Sequence, residues 1–507
     1  MINRLNLKDM SKYRFILLYV VLGSMCISCN NWLDVRPETE QKEKDQFSSY
    51  RGFCAALTGC YMAMGHEDAY GQKLTMSHIE SLASLWYIEG NSNGNQSADY
   101  YLQTHDYEQD PARKAIQLIY SKLFNIIVQA NKIIAHAEAN GDAFPDEATR
   151  SVILGEAYAI RAYCQLDVLR LFGEVPNGKG EKVSLPYSEV TAFNERAVRY
   201  DFASYGKKLL ADLEKAESLL KDNDPVFSYT FEGLNNPANI DLEDQYMGYR
   251  QSRLNYWAVK ALQARVYLYL GQKTQAYAAA KAVIDATDAD GKPVMDLSGE
   301  EDRTGGYNGC PNECLFYLSK YNVKTVAKIL IGGADVDARP GDLFTKLDRL
   351  NQLFPENKDS DVRYTAGWNK NLKSYGKAGF AAIKKYYYPD DKKGDELKVA
   401  YQIIPMLRMA EMYLIAIETT TDVEEANRLY NDYLLRGCGV ALIEDAFSAQ
   451  TNRQDVLMPE YRREFFAEGQ IFYAYKRFHA SSMLWCNEPI TEEDYVLWSC
   501  VNTEFNP

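Results

Sequence analysis

Between residues 80 and 101 the chain interleaves flat aromatic rings with amides, hydroxyls and acids. The stretch reads Glu80-Ser-Leu-Ala-Ser-Leu-Trp86-Tyr87-Ile-Glu-Gly-Asn91-Ser-Asn93-Gly-Asn-Gln96-Ser-Ala-Asp99-Tyr100-Tyr101. Such a mixture suits non-covalent capture better than bond making. A Trp or Tyr face stacks on apolar CH groups, while Asn, Asp and Gln bond the polar groups beside them. Trp86, Tyr87, Asn91, Asn93, Tyr100 and Tyr101 are therefore candidate ligand-binding residues. A second cluster, around Trp368, Asn369 and Tyr375, precedes Tyr386-Tyr-Tyr388 and adds Trp368 and Tyr375 to the set. Tyr307 and Tyr317 flank Cys310 and Cys314. The chain has 38 Tyr, and a given ring serves a core or an interface as readily as a ligand face.

Signatures of covalent chemistry are missing. The sequence contains no HExxH, no GxxxxGKS or GxxxxGKT phosphate loop and no GxGxxG. Gly90-Asn-Ser92-Asn-Gly94 spells GxSxG, but a nucleophile elbow needs a helix straight after the serine, and Asn and Gly follow instead. The five His (His66, His78, His105, His136 and His479) are singletons, none paired at metal-ligand spacing. Asp288-Ala-Asp-Gly291 opens like a calcium loop, yet Leu297 stands where the chelating Glu should fall. Of ten Cys, Cys310 and Cys314 form a close pair that can oxidise in the right compartment, but no second Cys/His pair follows at zinc spacing. Seventy acidic residues guarantee chance carboxylate pairs, so counting decides nothing about glycosidase chemistry. We expect no catalytic residue, no metal and no cofactor. Arg161, Arg408, Glu411, Arg462, Arg463, Glu464 and Glu468 fall in helical patterns. They read as Arg–carboxylate pairs that fix helix packing.

The elements that must position these groups are mostly helical. Apolar residues recur at three- and four-residue intervals over Ile116–Ile134, Glu147–Phe172 and Asp201–Leu220, the second ending at Gly173 with Pro176 beyond. Trp257–Ile284 carries Ala264, Tyr267, Leu268, Gly271 and Ala276 where a tetratricopeptide helix pair wants small residues and a turn. Ile404–Leu435 repeats the pattern with Ala410, Tyr413, Leu414, Ala416 and Ala426, and helix 147–172 resembles part of a third unit. Long insertions (66–112, 222–250, 286–325 and 335–400) separate these units, and Lys328–Ile331 is expected to add a short strand. The fold class is mostly α: a tetratricopeptide helix-hairpin scaffold with loop-rich insertions and minor short strands.

The first thirty residues read as an address. Arg4, Lys8, Lys12 and Arg14 precede the apolar run Phe15–Leu22, and small residues lead to Ser28-Cys29. We expect residues 1–28 to be a lipoprotein signal peptide and Cys29 to be the lipidated residue, with acyl chains giving a stable anchor. Residues 29–507 then form a single domain: 29–285 with the first helix pairs, a loop-rich insertion 286–400 and a helical part 401–507. The full chain of 507 residues has a net charge of −14; losing four basic residues and Asp9 with the signal takes away +3 and leaves −17. That balance argues against a nucleic-acid partner and against a polybasic membrane patch.

The order of motifs resembles the SusD/RagB family of Bacteroidetes surface lipoproteins. Trp32-Leu-Asp-Val-Arg-Pro37 is similar to the family's start after the lipidated Cys. Arg161-Ala-Tyr-Cys-Gln-Leu-Asp-Val-Leu-Arg-Leu-Phe-Gly-Glu-Val-Pro176 resembles its hallmark helix and exit. Ile404–Ala416 resembles its late tetratricopeptide helix, and Tyr461–Arg477 its C-terminal motif. The segment 496–507 departs from the apolar, proline-containing ending of the family. The resemblance implies a nutrient-binding protein on the outer membrane, facing the exterior, partnered by a SusC-like TonB-dependent transporter and binding an oligosaccharide or an oligopeptide. Two rival readings are a tetratricopeptide-type interaction scaffold without a small-ligand site and an exported glycan-processing enzyme.

Overall fold

The computed structural model describes residues 38–90, 96–192, 195–332, 343–374, 377–387 and 402–497. Helix hairpins form its body. The Asp110–Ala139 and Phe202–Leu220 helices pack on the Glu147–Phe172 helix, which is apolar around most of its circumference and buried from Ser151 to Phe172 but for Tyr158. The Asp146 carboxylate caps its start by accepting the Thr149 N–H at 2.7 Å, and it stops at Gly173 as the sequence predicts. A second hairpin joins Tyr256–Tyr269 to Lys273–Ile284. Asn255 caps it through the Ala258 N–H at 3.0 Å, and Gly271 turns the chain at φ +74°. A third hairpin, Met409–Thr419 and Val423–Asp432, packs on the second.

Two sequence expectations are corrected. Ile403–Arg408 is a strand, so the third hairpin starts at Met409 and not at Ile404. It pairs antiparallel with Cys314–Ser319, Ile404 opposite Leu318 and Arg408 opposite Cys314. Two adjacent Ile before Pro405 favour extended backbone, and Pro405 disfavours a helix through it. Conversely, Lys328–Ile331 is no strand: Val323–Leu330 is a helix that buries Val323 and Ala327, four residues apart. The thiols of Cys310 and Cys314 are free, Cys314 Sγ donating to the Cys310 carbonyl at 3.2 Å. A three-stranded antiparallel sheet, ordered Thr345–Lys346, Lys377–Ile383, Trp368–Ser374, lies against the C-terminal half.

The core between these layers contains charge. Arg408 donates to Glu468 at 2.8 and 2.9 Å, to Glu464 at 2.8 Å, and to Glu313. Arg303 and Arg363 reach the same Glu464 at 3.2 and 3.3 Å; Arg363 also holds Asp361 at 2.7 Å and Glu460 at 2.9 Å. Lys385 pairs with Glu468 and Arg463 with Glu460, so five cations meet five carboxylates. Burial alone would raise the Glu460 carboxyl, but Arg463 and Arg363 outweigh it and hold it near 2. Glu464 is likewise driven well below its ordinary value by Arg408, Arg303 and Arg363 against the effect of burial. Arg161 with Asp212 (2.6 Å) and Arg265 with Glu411 (2.6 Å) repeat the motif elsewhere. The structural reading of these charged residues thus fits their geometry, with three amendments: Arg408 ends a strand, Glu468 lies in the turn after the Arg453–Glu464 helix, and Arg462 bonds the Tyr475 hydroxyl at 3.0 Å.

One more buried carboxyl ties the chain's beginning to its end. Glu80 accepts the N–H groups of Ala467 at 3.1 Å and Gly469 at 2.6 Å. Burial pushes its pKa up to about 8 despite those two donors. Gly469 sits at φ +74°, and a Cβ there would come within 2.1 Å of the Leu74 carbonyl oxygen, so only glycine fits.

Candidate functional site

Tyr87 emerges from the His78–Leu82 helix after a left-handed turn at Ser84 (φ +57°), and its N–H donates to the Phe344 carbonyl at 2.8 Å. That bond brings it beside the start of the Leu347–Leu353 helix. Lys346, Arg349 and Gln352 recur every third residue, which puts them on one side of that helix. Lys346 Nζ stands 3.6 Å from the centre of the half-buried Tyr87 ring. Arg349 stands over two aromatic rings: its guanidinium is 5.0 Å from the Tyr87 centroid and 5.2 Å from that of Trp485. It also donates to the Trp86 carbonyl at 3.2 Å. Burial pulls the Arg349 pKa below its ordinary value, with Tyr87 and Asp348 acting the other way.

Trp485 comes from the far end of the chain. Its indole N–H donates to Gln352 Oε1 at 2.8 Å, and its backbone is left-handed at φ +68°, a position costing a bulky residue about 1–3 kcal/mol. Two neighbouring bonds hold it there: Leu484 N–H to the Tyr475 hydroxyl at 2.9 Å and Cys486 N–H to the Met483 carbonyl at 3.1 Å. The result is a half-exposed platform of two rings, a guanidinium, an ammonium and an exposed amide. Glu89, which accepts the Tyr87 hydroxyl, adds a carboxylate at its edge.

The expected residues divide. Tyr87 is on this platform. Tyr100 and Tyr101 sit half-buried and edge-on, 5.7 Å apart, on the Ala98–Gln103 helix. That helix is pinned by Asp99, which bonds His78 Nδ1 and Ser81 Oγ, each at 2.8 Å. Both bonds end on Asp99 Oδ1, so Ser81 is bonded to the carboxylate and not to His78. Gly90 lies on the Tyr100 ring, where a Cβ would come within 3.0 Å of Cε2. Trp86 and Trp368 are corrected. Both are buried, each edge-to-face with Phe466 at 5.0 Å, and the Trp86 indole donates to the Met76 carbonyl at 2.9 Å. An indole packed this way has no free face for a ligand. Asn91, Asn93, Tyr375 and Cys29 lie outside the described residues, as does Ser92. Sequence reasoning missed Lys346, Arg349, Gln352 and Trp485.

Two other features compete less well. A cavity of about 300 Å³ lies between the Tyr50–Met64 helix and the end of Cys314–Ser319, with Met62 and Tyr321 exposed at its rim. Several of its polar groups are already engaged: Lys320 Nζ with the Gly65 carbonyl at 2.8 Å, Thr58 with the Cys54 carbonyl at 2.8 Å, Arg253 over Tyr246 at 3.8 Å. His66, Glu67 and Asp68 offer atoms within 4.8 Å of one another, but Lys73 neutralises Asp68, and His66 Nδ1 accepts the Asp68 N–H at 3.2 Å.

Among known families, the model described as starch-binding associating with outer membrane matches residues 31–231, and the SusD family model matches residues 233–503. The chain belongs to the SusD family. SusD-like protein P25 of Formosa agariphila is 26% identical over 168 residues, 32% of this chain and 31% of that one. The chain thus spans about a third of that relative's length. The fold is shared with a SusD superfamily protein from Bacteroides thetaiotaomicron (TM-score 0.62, 23% identity, 85% of this chain and 89% of that one). It is shared too with a laminarin-binding SusD-like protein (TM-score 0.64, 16% identity, 90% and 98%). These SusD neighbours accord with the mostly α, hairpin-built scaffold seen here.

Proposed function

We propose that this SusD-family chain is a surface nutrient-binding protein whose platform of Tyr87, Arg349 and Trp485 holds an oligosaccharide. The observation that carries the reading is Arg349 held over two half-exposed rings, with Gln352 alongside. The ring faces that the cations leave open supply stacking surfaces, and the guanidinium and amide supply donors close by for hydroxyls. Loops carry Tyr87 and Trp485 while the helix fixes the cation over them, so the platform reads as preformed. A fold neighbour described as a laminarin-binding SusD-like protein supports a sugar as ligand. Delivery to a SusC-like TonB-dependent transporter, and anchoring through Cys29, complete the proposal. The chain performs no covalent step.

Calorimetric titration of the chain lacking residues 1–28 with oligosaccharide and oligopeptide panels tests the capture. Saturable glycan binding that Tyr87→Ala and Trp485→Ala each weaken tenfold or more is expected. Peptide binding alone, or chain-length change in the bound glycan, overturns it. Co-purification from solubilised outer membranes tests delivery: a large barrel in near-equal amount is expected, and its absence with the bait at the surface refutes that part. Cys29→Ala should remove the protein from the outer-membrane fraction.

A further inference from the structure

We infer that the platform selects acidic sugars, its two cations engaging a carboxylate or sulfate ester on a sugar stacked against Tyr87 or Trp485; this rests on the glycan-binding reading above. The argument starts from charge. The chain is acidic, with 70 Asp and Glu against 56 Lys and Arg. Its deep guanidinium groups are matched to carboxylates: Arg161 to Asp212 at 2.6 Å, Arg250 to Asp224 at 2.8 Å, Arg265 to Glu411 at 2.6 Å, Arg408 to Glu464 at 2.8 Å. Lys346 and Arg349 break that pattern. Among the described residues neither has a carboxylate oxygen within ion-pair distance. Two acids stand close by, each already hydrogen-bonded. Asp348 Oδ1 accepts the Arg349 backbone N–H at 2.9 Å, and Glu89 accepts the Tyr87 hydroxyl.

Both uncommitted cations converge on one ring, 3.6 and 5.0 Å from its centre. A pyranose carries an equatorial carboxylate or sulfate roughly in the plane of its ring. Lys346 and Arg349 stand over ring faces, so a sugar stacks on the face of Tyr87 or Trp485 that they leave open, and that group, projecting past the ring edge, comes within reach of their N–H donors. A guanidinium offers a planar pair of N–H donors to two oxygens, and an ammonium beside it adds a point charge. A neutral sugar would give neither cation an anionic partner within ion-pair distance.

The test is titration calorimetry in low and moderate salt. The probes are oligogalacturonate and oligoalginate, each with its carboxyl-reduced counterpart, and a sulfated galactan oligosaccharide with its desulfated counterpart. Acidic members should bind at least tenfold tighter than their neutral counterparts, weaken with salt, and lose that preference in Arg349→Gln and in the surface variant Lys346→Gln. The uronate and sulfate arms tell which anion is read. If neutral members bind as tightly, and Tyr87→Ala and Trp485→Ala still abolish binding, the platform stands and acidic selectivity falls. If glycans bind regardless of either ring variant, the platform reading itself falls. Failure of every acidic member to bind overturns the inference.

Discussion

The core web around Arg408 and the platform around Arg349 use the same side-chain chemistry to opposite ends. Around Arg408, the cations are buried or, at Arg463, nearly so, and are answered by carboxylates from the Arg453–Glu464 helix, the turn after it, the Pro311–Glu313 turn and Asp361. Taking such charges from water is costly, and close, multiple hydrogen bonds offset that cost only when the set is complete. Around Arg349 the guanidinium touches two rings and one carbonyl, stays half-exposed and has valence to spare. A satisfied network fixes a structure; an unsatisfied one beside aromatic faces invites a ligand.

That contrast can be broken at several points. Arg408→Met leaves Glu313 without its cation, and Glu464 and Glu468 one cation short, in the core and should cost about 3–5 kcal/mol in denaturant unfolding, whereas Arg349→Gln should cost under about 1 kcal/mol. Equal losses would erase the distinction. Acid probes the web next. Glu460 has its folded pKa depressed from 4.5 to about 2, so its contribution is present above pH 4.5 and lost as pH falls through 2. By linkage that loss is about 3 kcal/mol, and unfolding followed from pH 5 to 2 should show it shrinking in Glu460→Gln. Tyr87→Ala and Trp485→Ala should each weaken glycan binding by about 1.4 kcal/mol or more, a tenfold change. Tyr321→Ser, at the rim of the cavity beside the first described helix hairpins, should change stability by less than about 0.5 kcal/mol and leave binding unchanged. Loss of binding there would move the site to the cavity.

Much of the scaffold was legible because it obeys local rules. The Glu147–Phe172 helix starts at an Asp cap and stops at a Gly, as its sequence states. The error at Ile404 arose where a strand and the next helix run together without a break, so apolar periodicity alone could not place the boundary. The site was less legible. Tyr87 stood out in a polar loop, but Trp86 next to it fills the core, a difference set by Phe466 nearly four hundred residues away in sequence. The three-residue recurrence of Lys346, Arg349 and Gln352 was a readable signal. Trp485 offered none, because its place depends on a left-handed backbone that no pattern announces.

The bonds from Glu80 to Ala467 and Gly469 bear on the order in which the protein comes into being. They close loops of 387 and 389 residues, and the Tyr107 hydroxyl meets the Asp494 carbonyl across another 387. Contacts so distant in sequence are slow to form. A chain still emerging N-terminus first holds Glu80 and Tyr87 long before it holds the partners that fix them. The early helix hairpins can condense on their own, but the surface joining Tyr87 to Trp485 waits for the last segment. The proposed binding surface is therefore among the last features of the polypeptide to be completed, and its integrity would report that synthesis and folding have both reached their end.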